Sequence, residues 1–167
     1  MIKEIKVMNR FGAEMVLLGL TPIPSLLTRW ALLSINGFDE PFLVEGKSLR
    51  NMEKSGLEMV MSIRFDDIKG MEYEKIKVVH PKIILFNEGH AKKIIEFIDL
   101  LQRKQEPTLL LIHCSAGVSR SGAVATFVSE YLSVPFSDEY ILPNSYILEI
   151  LRNTAKDYEI IRNGEQK

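Results

Sequence analysis

The stretch TLLLIHC, residues 108 to 114, is apolar almost throughout, and after five small residues the chain passes straight into the helical pattern RSGAVATFVSEYL, 120 to 132. A short apolar run without alternation reads as a strand covered on both faces, the condition of strands in parallel sheets clad by helices. Three further runs read the same way: EMVLLGL (14 to 20), WALLSI (30 to 35) and LEMVMSIRF (57 to 65). Helical patterns lie between and after them. NEGHAKKIIEFIDLLQRK (87 to 104) repeats Ala91, Ile94, Ile95, Ile98 and Leu101 at helical spacing, with Asn87 as N-cap, Arg103 and Lys104 at the cation-favouring end, and Pro107 as the stop. Helices are also predicted over 144 to 156 and, shorter, near 48 to 55.

Strands alternating with helices predict an α/β fold: a single domain, residues 1 to 167, with a central, mostly parallel sheet flanked by helices on both faces. At the start, IKEIKV and EMVLLGL are expected to pair as an antiparallel hairpin across NRFG. The charged stretch KGMEYEKIKVVHPK (69 to 82) reads as a solvated loop. No repeat, low-complexity tract or linker divides the chain.

With 21 basic and 22 acidic residues the formal charge is −1, which gives no general attraction to nucleic acid or an anionic membrane. Partners are therefore expected at a local site. The one cysteine, Cys114, excludes an internal disulfide and a thiolate-rich zinc site, and favours a reducing compartment. No stretch approaches the ~20 apolar residues of a membrane span, so the expected location is cytoplasmic. His80, His90 and His113 match no metal-ligand spacing and are read as solvated or packing side chains. The oligomeric state is not legible.

HCSAGVSRSG (113 to 122) is the stretch that carries chemistry. A strand, a tight loop and a helix N-terminus make an anion site, because backbone N–H groups from Ser115 through Ala116, Gly117, Val118 and Ser119 to Arg120 can curl toward one point. Gly117 suits the strained dihedral that such curling needs. Arg120 offers a planar fork for two phosphate oxygens, where a lysine would supply only a point charge. The same field favours the thiolate of Cys114, and Ser121 is placed to donate a hydrogen bond to the sulfur when it leaves. His113 is expected to orient the loop rather than take a proton.

HCSAGVSRS resembles the signature of the protein tyrosine phosphatase superfamily, in which His-Cys, five residues and Arg-Ser/Thr build the phosphate loop. The size of the chain and the position of the motif resemble the compact dual-specificity-like members. The resemblance implies hydrolysis of phosphotyrosine, and of phosphoserine or phosphothreonine besides, through a cysteinyl-phosphate, without a metal or other cofactor. The partner implied is a phosphorylated protein or small phosphomonoester.

The resemblance also implies an acid on a loop upstream of the cysteine, worth ~10²–10⁴ in rate. SIRFDDIKG (62 to 70) offers two, and Asp67, closing Ile63-Arg-Phe-Asp-Asp67, fits the compact members better than Asp66. Asp67 lies 47 residues before Cys114, a separation longer than the family's, which the 69 to 82 insertion absorbs. Asp99 and Asp138 do not sit at a strand exit ahead of the loop. Met8-Asn9-Arg10-Phe11 faintly resembles the pocket-deepening loop of tyrosine-specific members, but four residues are too few to carry an assignment.

Two other classes compete: a phosphate-recognition module with the loop but no turnover, and a rhodanese-like sulfurtransferase, which leaves Arg120 and an upstream acid unexplained. A lipid phosphatase is disfavoured because no lysine or arginine stands between Ser115 and Ser119 to meet a polyphosphorylated ring.

Overall fold

The computed structural model describes residues 1–43, 56–136 and 141–164, with side chains through residue 158. Four strands form one sheet: β1 (Ile2–Asn9), β2 (Trp30–Asn36), β3 (Leu57–Arg64) and β4 (Thr108–Cys114), in the order β1-β4-β2-β3. Every neighbouring pair is parallel. Around the sheet lie α1 (Arg10–Leu17), α2 (Tyr73–Val79), α3 (Glu88–Gln102), α4 (Arg120–Leu132) and α5 (Ser145–Gly164).

β2 and β4 are buried at every position, as unbroken apolar runs require. Their side chains feed two cores. Trp30, Leu32, Leu109 and Leu111 meet Val16 of α1 on one face, while Ala31, Leu33, Ile35, Leu110 and Ile112 meet α3, α4 and α5 on the other. Helices thus cover both faces. Among the described residues no helix is long and apolar enough to cross a membrane.

Several expectations change. EMVLLGL is not a strand, and no hairpin forms: the Asn9 side chain accepts from the Gly12 N–H at 2.7 Å and starts α1 directly after β1. β1 instead pairs parallel with β4, placing Asn9 beside Cys114. Of the EMVLLGL apolar residues Val16 is buried, whereas Leu18 and Leu20 are exposed, so the run was never a two-sided core segment. β3 is a sheet edge with Ile63 its one buried residue, not a strand covered on both faces. The 69 to 82 stretch is not all loop: it holds a 3-10 turn, Gly70–Glu72, and α2, though neither buries a residue. The helix expected at 48 to 55 and Asp138 lie outside the described residues.

α3 follows its pattern, with Asn87 and His90 closing a reciprocal cap of side chain and backbone. α4 begins at Arg120 and ends at Ser133, whose left-handed φ of 54° stops it.

All four strands run the same way, so Asn9, Asn36, Arg64 and Cys114 finish along one rim of the sheet. α1 leaves β1 toward one face and α4 leaves adjacent β4 toward the other, the point at which open α/β sheets take their ligands.

Candidate active site

Cys114 ends β4 with only 3% of its surface exposed, and its Sγ lies 3.1 Å from Ser121 Oγ at the start of α4. The loop from Ser115 to Ser119 rises above it. Among the described residues none of the five loop N–H groups donates to a protein acceptor, so these donors remain open. Gly117 takes φ +73°, and a Cβ there would come within 2.6 Å of the Asn9 nitrogen and the Met8 carbonyl carbon. Glycine is required twice over: by its dihedral and by the wall of β1 against which the loop is moulded. The Arg10 N–H donates to the Ser115 carbonyl at 3.1 Å and fixes the other side of the contact.

Arg120 is buried, and its guanidinium is aimed by three groups. Nη1 donates to the Phe65 carbonyl at 3.0 Å, Nη2 donates to Ser115 Oγ, and Nη2 lies 3.5 Å from Glu40 Oε1. Glu40 also accepts from the Ser115 hydroxyl and, at 2.7 Å, from the Gly37 N–H. Burial raises the pKa of its carboxyl, but the bonds from Ser115 and Gly37 and the charges of Arg120 and Arg10 outweigh it and hold the group below the usual carboxylate range. Glu40 therefore stays an anion facing Arg120. Its loop is pinned by Arg10, which donates to Asn36 Oδ1 (3.0 Å) and the Pro41 carbonyl (2.9 Å), and by Arg64, which donates to the Glu40 carbonyl (2.9 Å).

His113 is fully buried under the loop. Its Nε2 shares a 2.7 Å hydrogen bond with Ser34 Oγ, and Ser34 is in turn bonded by Asn36 Nδ2. Burial is the main cause that pushes its pKa down to about 4, so the ring is neutral at physiological pH.

The two aspartates have different surroundings. Asp66 accepts from the Phe38 N–H at Oδ1 (3.0 Å) and from the Ile84 N–H at Oδ2 (2.7 Å), so both oxygens tie neighbouring loops together. Asp67 is exposed, and its Oδ1 accepts from Ser119 Oγ of the cysteine loop and from Asn144 Nδ2, each at 2.8 Å. Asp99 lies away from this group, on α3, within reach of Tyr131.

The chain matches no family model and no curated protein. Among solved structures it is similar over nearly its whole length to Tk-PTP in its active form, with 17% identity, 91% of this chain and 90% of that chain covered, and a TM-score of 0.50. It is likewise similar to PTPMT1 in complex with PI(5)P, with 15% identity, 96% and 95% covered, and a TM-score of 0.52. The fold is that of the protein tyrosine phosphatases.

Within this phosphatase fold the four strand ends deliver different parts: Arg10 from β1, the Glu40 loop from β2, Asp66 and Asp67 from β3, and the cysteine loop from β4. Glu40, Ser34 and Asn144 were not singled out from sequence, and Arg10 figured only within the quartet Met8-Asn9-Arg10-Phe11, which carried no assignment. For Asn144 a signal existed, since Asn after Pro143 and before an apolar helix reads as an N-cap. For Glu40 there was none, because its partner Ser115 lies 75 residues away.

Proposed function

We propose that the protein is a cysteine-dependent phosphatase acting on phosphotyrosine, with phosphoserine and phosphothreonine as lesser substrates. The observation that carries this reading is the 2.8 Å bond between Ser119 and Asp67, which ties a carboxyl group to the same loop that holds Cys114 and Arg120. In the proposed reaction the Cys114 thiolate attacks phosphorus in line, while Arg120 and the N–H groups of Ser115, Ala116, Gly117, Val118 and Ser119 hold the equatorial oxygens. As the S–P bond forms and the P–O bond to the leaving group breaks, Asp67 passes its proton to the departing oxygen. Water then attacks the cysteinyl-phosphate, Asp67 takes the proton from water, the S–P bond breaks, and Ser121 donates to the sulfur that is released.

In this reading Asp66 shapes the loops and is not the acid, since both its oxygens are engaged by backbone donors. The chain works on phosphorylated proteins or small phosphomonoesters in the cytoplasm, a placement supported by its lone cysteine.

Purified protein should release phosphate from a phosphotyrosine peptide. Cys114→Ser should abolish release, and Asp67→Asn should lower it by about 10²–10⁴. Phosphate binding without turnover would favour a recognition module, and turnover of thiosulfate alone a sulfurtransferase. PI(5)P belongs in the same panel, since PTPMT1 was solved with it. Preference for that lipid over the peptide would overturn the substrate class proposed.

A further inference from the structure

We infer that Asn144 is a positioning residue that holds the carboxyl of Asp67 over the cysteine loop, in addition to capping α5. The inference rests on Asp67 being the acid. Asn144 is buried, and every polar atom of its side chain is committed. Oδ1 accepts the N–H groups of Tyr146 (3.0 Å) and Ile147 (3.3 Å) in the first turn of α5. Nδ2 donates to Asp67 Oδ1 at 2.8 Å and to the Ile68 carbonyl at 3.4 Å. Its backbone N–H donates to the Ser119 carbonyl at 3.3 Å. One residue thus joins the acid segment, the cysteine loop and the last helix.

The direction of the amide is dictated. Helix N–H groups can only donate, so the face toward α5 must be the oxygen, and the nitrogen must face Asp67. A side chain with two acceptors would cap the helix equally well yet present no donor to the aspartate. The donor half of Asn144 is therefore surplus to capping, and its position is explained by the acid. Both bonds to Asp67, from Ser119 and Asn144, fall on Oδ1, and among the described residues no hydrogen bond is made to Oδ2, the oxygen assigned here to carry the proton to the leaving group.

Separating the two roles takes two variants. Asn144→Ser keeps an N-capping oxygen and loses the donor; Asn144→Asp keeps the acceptors, adds charge favoured at a helix N-terminus, and also loses the donor. A positioning role predicts a kcat/KM for phenyl phosphate lowered by about 10-fold or more. With 2,4-dinitrophenyl phosphate, whose leaving group needs no proton, kcat/KM, which reports formation of the cysteinyl-phosphate and not its hydrolysis, should stay within about twofold. The thermal midpoint of Asn144→Ser should stay close to the parent's, whereas Asn144→Asp, which sets a second carboxylate against Asp67, is read only through the ratio of its rates on the two esters. In Asp67→Asn the phenyl ester should already be slow, and adding Asn144→Ser should cost nothing further. Equal losses on both esters, or a drop in stability alone, would leave Asn144 a helix cap and overturn the inference. Should Asp67→Asn itself fail to separate the esters, the acid assignment falls, and the inference falls with it.

Discussion

His113 shows what one buried ring costs and supplies. Enclosed with Ser34 and pushed down to about 4, it stays neutral when folded, whereas in the unfolded chain it takes a proton near ~6.5. The unfolded state therefore binds more protons between those values. Stability is fully present above the upper value and falls as pH drops through the window, by about 3 kcal/mol at most. Urea midpoints of the parent should follow that slope from pH 6.5 to 4.5. Replacing the ring by His113→Gln, which keeps a polar contact for Ser34, should reduce it, leaving the parts from His90, whose pKa burial also lowers, and, toward pH 4.5, from Glu40, Glu58 and Glu130, whose lowered pKa values act in the same direction. An unchanged slope in the variant, or a His113 ring that titrates by NMR above pH 6, would contradict burial of the neutral form. At this scale the sequence was informative for Cys114, Gly117, Arg120 and Ser121, because their meaning lies within one loop. It was silent on Ser34 and Glu40, which act through space from β2 and the loop after it, far off in the chain.

Elements tell a different story about legibility. α4, expected near 120 to 132, runs from Arg120 to Leu132, its start marked in the sequence by the loop before it and its end set by the left-handed Ser133. EMVLLGL misleads because its apolar content does not mean burial: Leu18 and Leu20 face solvent, and Asn9 commits the backbone to a helix. α2 misled in the opposite way. Its helical turns bury nothing, so it lacks the apolar stripe by which a helix announces itself in sequence. The same fact predicts that Val78→Ser together with Val79→Ser, at positions 85% and 71% exposed, should move the thermal midpoint by less than about 2 °C, with activity unchanged. A fall of 5 °C or more in differential scanning calorimetry would mean that α2 packs against something after all.

For the whole molecule the alternation of apolar runs with helices sufficed to predict a parallel sheet clothed on two faces, yet not its order. That β1 lies against β4 rather than beside its sequence neighbour is a matter of which surfaces bury most together, and no local pattern encodes it. The consequence is a site assembled from four strand ends, so ligand binding must be coupled to the stability of the whole. Tungstate at about 100 times its Kd should stabilise the fold by about 2.7 kcal/mol, a rise of several degrees in midpoint that chloride of matched ionic strength should not reproduce. Arg120→Lys, keeping charge without the fork, should shrink the increment; an increment of the same size in that variant would mean the anion sits elsewhere. The close fit of Gly117 against Met8 and Asn9 sets a limit on portability. Nine residues spliced into a foreign strand–helix junction would bring the letters of the motif without the surface that gives them shape, so a functional transplant has to include the first strand as its mould.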